Sequence, residues 1–213
     1  MKKKLVILIS GSGSNLQSFI DQCASGDLDA EIVCVISNKA NAYGLERAQA
    51  AGIPTVTLSH NDFASREAYD SALAKQIEPY QPDLIVLAGF MRILTPAFVQ
   101  QYLGRLINIH PSLLPKYPGL NTHQRAIDAG EKEAGATVHF VTEELDGGPI
   151  IAQASVPILE GDTAQTLAKR ILVEEHKVFP LAVNWFLEGK LRFIEGKAIF
   201  NGEPLPPSGH AYP

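Results

Sequence analysis

The sequence predicts an α/β fold, a Rossmann-like open, mostly parallel twisted sheet with helices on both faces. Three observations carry this. Short apolar runs alternate with helix-compatible stretches through the first half of the chain. A glycine-rich turn, Gly11-Ser12-Gly13, separates the first run from the first helical pattern. The 213 residues, 46% of them hydrophobic, suffice for one such core without internal repeats or linkers. The chain therefore reads as a single domain, 1–213, with an N-terminal half of about 1–105 and a second half of about 106–213.

Taken in order, Leu5–Ser10, Glu31–Ser37, Thr55–Leu58, Asp83–Ala88 and Leu106–Ile109 are the strand candidates. Met1-Lys2-Lys3-Lys4 before the first could suggest a signal peptide. The apolar run behind it is too short for an h-region and lacks a clear cleavage site, so it reads as a strand with a basic lead-in. Asn15–Ala24, Tyr43–Ala51, Ala64–Glu78 and Thr95–Tyr102 are helix-compatible, and the alternation implies right-handed parallel crossovers. A helix around Thr122–Ala129 follows the proline-rich loop Pro111–Asn121. Thr137–Thr142 and Ile150–Val156 read as strands joined by the turn Asp146-Gly147-Gly148. A long helix covers about Thr163–Glu188, opened by Asp162 or Thr163 as cap. Leu191–Ile194 and Lys197–Phe200 form a hairpin across Glu195-Gly196, and the proline- and glycine-rich end is expected to lie as a tail on the surface.

Composition narrows the function classes. With 18 basic and 23 acidic residues the net charge is −5, and no Lys/Arg block reads as a nucleic-acid footprint. No run approaches transmembrane length. Two cysteines, Cys23 and Cys34, make neither a disulfide framework nor a metal cluster. A cytoplasmic, reduced protein is the plain reading, with neither nucleic acid nor membrane as partner.

The candidate chemistry gathers around Asn108-Ile109-His110. Strand residues alternate faces, so Asn108 and His110 point the same way where a parallel sheet opens its ligand crevice. Pro111, Pro115 and Pro118 stiffen the loop behind them. No G-x-S-x-G elbow and no metal-ligand spacing is present, which leaves general acid–base chemistry. His60, His123, His139, His176 and His210 read as structural, His139 as filler of a strand face. Gly11–Asn15 could cradle a phosphate at a helix N-terminus or simply be a tight turn. A dinucleotide site is disfavoured by Leu16 where a small residue is wanted, and by Ser37-Asn38-Lys39 where an acid is wanted. Asp146 on its own reads as a solvated turn carboxylate. Glu175 does not: at about 100° per residue it falls inside the stripe Ala164, Leu167, Ile171, Val178, Ala182 and Trp185, where a carboxylate must find a partner or a ligand. Glu174 lies nearer the edge of that stripe. Met91-Arg92-Ile93-Leu94 follows a strand end and is equally consistent with core packing around one exposed arginine.

Four segments lie in one order along most of the chain: I-S-G-S-G-S-N-L-Q at Ile9–Gln17, L-A-G-F-M-R-I-L at Leu87–Leu94, N-I-H-P-S-L-L-P-K-Y-P-G at Asn108–Gly119, and V-T-E-E-L-D-G-G-P at Val141–Pro149. The set resembles the enzymes that use 10-formyltetrahydrofolate, and most closely the phosphoribosylglycinamide formyltransferase family. The resemblance implies transfer of a formyl group from 10-formyltetrahydrofolate, as co-substrate and without a metal, to the amine of glycinamide ribonucleotide, in purine biosynthesis. It implies Asn108, His110 and Asp146 as catalytic residues, with Asp146 paired to the histidine. Gly13, Ser14 and Asn15 with Leu172, Val173, Glu174 and Glu175 are implied in ribonucleotide binding. Arg66, Met91, Arg92, Ile93, Leu94, Asn108, Thr142, Glu143, Glu144, Leu145 and Asp146 are implied in folate binding. Either a monomer or a homodimer would serve.

The rival readings are another 10-formyltetrahydrofolate enzyme, or a non-catalytic nucleotide-binding module. An aminoacyl-tRNA formyltransferase would be expected to carry a further basic domain, and a formyltetrahydrofolate hydrolase a regulatory domain ahead of the first strand. A binding module gives no reason for Asn108, His110 and Asp146 to coexist.

Overall fold

Strand β1, Lys3–Ile9, begins polar and becomes wholly buried from Leu5 onward. In the computed structural model, which describes residues 1–212, the chain forms two compact units, Met1–Ile107 and Asn108–Pro213.

The first unit is built on four parallel strands in the order β4-β1-β2-β3, with β2 at Ala30–Ser37, β3 at Thr55–Thr57 and β4 at Leu84–Leu87. Helices α1 (Ser14–Ser25), α2 (Tyr43–Ala50), α3 (Arg66–Ile77) and α4 (Pro96–Gln101) make the crossovers. Their starts have local causes. Ser65 caps α3 by accepting from the Ala68 amide at 3.1 Å, so α3 begins at Arg66 and not at the expected Ala64. Pro96 sits at the first position of α4, where its missing N–H costs nothing. Leu5, Ile7, Leu16, Phe19, Ile36 and Leu73 are among the fully buried side chains.

The chain enters the second unit along β5, Leu106–His110. Helix α5 (Thr122–Asp128), β6 (Glu133–Phe140), β7 (Ile150–Pro157) and α6 (Ala164–Leu187) follow. The strand order here is β11-β7-β6-β5, and β6 and β7 pair antiparallel. Helix α6 opens with a capping box between Thr163 and Thr166 and packs on both β6 and β7. β8 (Leu191–Ile194) and β9 (Lys197–Phe200) form the expected hairpin, extended by β10 (Glu203–Pro204).

Two further expectations need correction. β6 starts at Glu133, four residues before Thr137, because Glu133–Ala136 ladder with Ala154–Pro157 despite little intrinsic strand preference. The terminal segment does more than lie on the surface. Its β11, His210–Ala211, pairs parallel with Ala152 and Gln153 of β7, and the His210 ring rests 4.7 Å from Trp185 and from Phe200. Among the described residues, no helix is long and apolar enough to cross a membrane.

Candidate active site

In the first unit the turn after β1 is held from the side by α2. Gly13 takes the left-handed conformation at φ 70°, and a Cβ on it would run into the Cα of Gly44. The Gly44 amide donates to Gly11 O at 3.0 Å, and Arg47 Nε donates to Ser12 O at 2.7 Å. Ser14 and Asn15 then open α1, whose first turn contains no acidic residue. Such an N-terminus favours an anion through its dipole.

The loop after β4 is also pinned. Met91 N donates to Ser10 Oγ at 2.8 Å, and Arg66 Nη2 donates to Ile93 O at 2.7 Å. Arg66 is thus more than the exposed helix charge that its plain reading allowed. Met91 is 60% and Ile93 53% exposed, so the core-packing reading fails for these two; Leu94 is buried.

In the second unit, Asn108 and His110 stand on the same side of β5, as alternation requires. The Nε2 of His110 lies 2.9 Å from the Tyr117 carbonyl, an acceptor only, so Nε2 carries a proton. Its Nδ1 lies 3.5 Å from Asp146 Oδ2. Asp146 adopts φ 52°, a left-handed turn that Asp tolerates, and its side chain is only 9% exposed. The same Oδ2 accepts from Gly119 N at 2.9 Å. Asp146 is therefore not a solvated turn carboxylate. The turn can close only because Gly148 has no Cβ, which would run into the Phe140 carbonyl.

The proline-rich loop is a rigid wall. Ser112 Oγ donates to Lys116 O at 2.7 Å, and Thr122 Oγ1 donates to Pro111 O at 2.7 Å. Leu114-Pro115 is a cis peptide. The Tyr117 hydroxyl donates to Glu131 at 2.9 Å, and the Arg125 guanidinium lies 5.2 Å above the Tyr117 ring. Thr137 on β6 binds the loop from beneath: its Oγ1 donates to Ser112 O and accepts from Leu114 N and Gln153 Nε2, all within 3.0 Å.

His139, two residues further along β6, does more than fill a strand face. It is buried, its Nδ1 donates to Phe140 O at 2.8 Å, and its Nε2 lies 3.3 Å from Asn108 Nδ2. Burial pushes its pKa down, so Nε2 is a lone-pair acceptor and the Asn108 amide must present its nitrogen there. One N–H of Asn108 is thereby committed and the other remains for a ligand. His123 is half-buried with its pKa held down, first by burial and then by the charge of His110. Alternation along 137 and 139 was the available signal for the β6 pair, but it says nothing about which strand lies beside β6.

On α6, Glu175 is 7% exposed on the apolar face, whereas Glu174 is paired to Lys177 at 2.9 Å. Leu172 is half-buried and Val173 exposed on the same turn. After β6, Thr142 is half-buried, and Glu143, Glu144 and Leu145 are exposed beside Asp146. Among the described residues no group of three His, Cys, Asp or Glu side chains is placed to hold a metal ion.

A family model described as formyl transferase matches residues 3–183. The chain belongs to the formyl transferase family. The phosphoribosylglycinamide formyltransferase of Escherichia coli (strain K12) is 55% identical over 207 residues, which is 97% of this chain and 98% of that protein. The Haemophilus influenzae protein of the same name is 52% identical, covering 98% of this chain and 99% of that one. A solved phosphoribosylglycinamide formyltransferase from Coxiella burnetii, in complex with CHES, superposes with TM-score 0.95 at 52% identity over the full length of both chains. These likenesses bear out the Rossmann-like class of fold and the reading of the chain as a phosphoribosylglycinamide formyltransferase, and they favour that reading over the tRNA, hydrolase and binding-module alternatives.

Proposed function

We propose that this formyl transferase moves the formyl group of 10-formyltetrahydrofolate to the amine of glycinamide ribonucleotide. The products are formylglycinamide ribonucleotide and tetrahydrofolate, in the purine biosynthesis of the cytoplasm, by one domain spanning 1–213. The observation that supports it most is local to the second unit: His110 lies 3.5 Å from a mostly buried Asp146, next to an Asn108 amide of set orientation.

In the reaction the neutral amine attacks the formyl carbon directly, and the carbonyl oxygen becomes an oxyanion. The uncommitted N–H of Asn108 donates to that oxygen. His110 keeps Nε2–H on Tyr117 O, so Nδ1 is the nitrogen that exchanges a proton. Its protonated form is the acid for the departing folate nitrogen, and Asp146 stabilises that charge. As the tetrahedral intermediate collapses, the C–N bond to folate breaks, that nitrogen gains a proton and the new amide nitrogen loses one. No covalent enzyme intermediate is needed. Much of the acceleration comes from holding the two substrates in contact.

In the first unit, Gly13, Ser14 and Asn15 receive the ribose phosphate, and Arg66 with Met91, Arg92, Ile93 and Leu94 receives the folate. In the second, Leu172, Val173, Glu174 and Glu175 contact the ribonucleotide, while Asn108 and Thr142–Asp146 contact the folate. The protein serves either as monomer or as homodimer. The test is to follow folate absorbance with 10-formyltetrahydrofolate, with and without glycinamide ribonucleotide. Turnover only with both supports the reading. Turnover without the ribonucleotide replaces it with a hydrolase, and none with both refutes it.

A further inference from the structure

Helix α3 carries a buried carboxylate that the proposed chemistry does not use. Asp70 is 3% exposed, and its Oδ2 accepts from the backbone N–H of Thr95 at 2.6 Å. A carboxylate out of water is costly unless it is bonded, so its partner is the place to look for its purpose. Thr95 is the residue immediately after Met91–Leu94, and it caps the start of α4 without a side-chain cap bond.

Two neighbours on α3 reach the same loop. Arg66 donates to Ile93 O at 2.7 Å, and the ring of Tyr69 lies 4.4 Å beneath the Arg92 guanidinium. Burial pushes the Tyr69 phenol up to about 12, so the ring meets Arg92 as a neutral face. Positions 66, 69 and 70 are spaced i, i+3, i+4 and share one side of the helix. From elsewhere in this unit the loop is held at Met91 N by Ser10 Oγ, which donates onward to Asn38 Oδ1 at 2.6 Å. Residues 91, 92, 93 and 95 are thus each anchored, while the Met91 and Ile93 side chains stand 60% and 53% exposed. A core segment would bury them. Apolar side chains kept in water on a fixed backbone suit a wall waiting for a flat ligand.

We propose that Asp70, supported by Arg66 and Tyr69, is a positioning residue for the folate: through Thr95 it holds the Met91–Leu94 backbone in the shape that receives the pterin. This rests on the folate-dependent reading above and extends it to a residue that touches no substrate. The ionised oxygen matters because a charge-assisted hydrogen bond is stronger than a neutral one and confines the amide more tightly. Holding the wall in its bound shape beforehand spares the ligand the ordering cost.

The experiment is steady-state kinetics of Asp70→Ala and Asp70→Asn against both substrates. Asp70→Ala raises the folate KM about tenfold, with the ribonucleotide KM and kcat within about threefold, as for one lost charge-assisted bond in a preorganised loop. Asp70→Asn keeps an oxygen acceptor for Thr95 and recovers most of this, leaving the folate KM raised only about two- to threefold. An unchanged folate KM, or an equal rise for both substrates, overturns the proposal. If Asp70→Ala does not fold, Asp70→Asn carries the test through amide hydrogen exchange. Thr95 N–H must exchange faster than in wild type and slow again on adding tetrahydrofolate, and identical exchange overturns the proposal. Failure of the underlying reading looks different, because wild type itself would then not turn over the two substrates together.

Discussion

His139→Phe isolates a restraint on Asn108 without touching any proposed reacting group. Phenylalanine keeps a ring in the buried position and removes two hydrogen bonds, from Asn108 Nδ2 at 3.3 Å and to Phe140 O at 2.8 Å. The Phe140 carbonyl is left in the interior without that donor, and the Asn108 amide without its acceptor. At ~1–3 kcal/mol for each group so stranded, and with Asn108 able to find some water, the variant should lose about 2–3 kcal/mol. For a chain of this size that is a fall in Tm of about 5–10 °C. The amide of Asn108 becomes free to rotate, so its donor is present for only part of the time. Deleting an oxyanion donor costs about 10²–10³ in rate, and misorienting one should cost about 10–30-fold in kcat with both KM values little changed. Stability also acquires a pH signature. Burial lowers the His139 pKa, so the unfolded chain takes up the proton near 6.5 while the folded protein resists it. The wild-type contribution is complete above about 6.5 and is lost as pH falls toward the lowered folded value, at up to about 1.4 kcal/mol per pH unit. The gap between wild type and His139→Phe should therefore narrow from pH 7.5 to 5.5 in thermal or urea unfolding. A variant with wild-type kcat, or a stability gap that ignores pH, would refute the assigned hydrogen-bond pattern.

Asn108→Ala and His110→Ala should each lower kcat by about 10²-fold or more while leaving ribonucleotide binding intact, as measured by single-turnover kinetics and equilibrium dialysis. Asp146→Asn retains an oxygen for Gly119 N–H, so its kcat should fall with only a small change in Tm; unchanged turnover would reduce Asp146 to a turn residue. Glu175→Ala should raise the KM for the ribonucleotide far more than that for folate. Arg66→Ala should do the reverse and modestly, its side chain being exposed. Asp162 is held well below the usual carboxylate range, first by its hydrogen bonds to Arg170 at 2.8 and 2.9 Å. That stabilisation is present above pH ~4 and is lost as the pH falls below it, so Asp162→Asn should flatten the acid limb of the stability curve.

The elements most legible in the sequence are those whose reasons are local. Runs such as Leu5–Ile9 and Leu84–Leu87 announce themselves because they are buried on both faces, and the pair Asp162-Thr163 announces the start of α6, where Thr163 proves to be the cap. Glu175 was legible for the same reason, since helical period alone puts it among buried apolar neighbours. What depends on a distant partner was not legible. Glu133–Ala136 has weak strand character and becomes strand by pairing with residues about twenty positions later. Asp146 looks like any turn acid until the left-handed backbone and a glycine pressed against Phe140 O turn its carboxylate toward His110. His139 is the clearest case, because its role is set by which strand lies beside β6, and no periodicity encodes that.

The site therefore owes its precision to a strand that supplies no proposed reacting group. β6 presents Thr137 and His139 on one side, two residues apart, next in the sheet to β5 with Asn108 and His110 at the same spacing. Thr137 spends its one donor and two acceptor positions on Ser112, Leu114 and Gln153, fixing the loop that carries the Tyr117 carbonyl to which His110 Nε2 is bonded. His139 spends its one donor and one acceptor on Phe140 and Asn108. Each is fully bonded, so neither side chain can reorient without stranding a polar group in the interior. That restraint is what an acid and an oxyanion donor require, since both must meet atoms whose charge appears only briefly. His110 by contrast keeps one loosely held nitrogen, Nδ1 at 3.5 Å from Asp146. A catalytic imidazole locked at both nitrogens could not pass a proton, and here the looseness is confined to the one atom that has to.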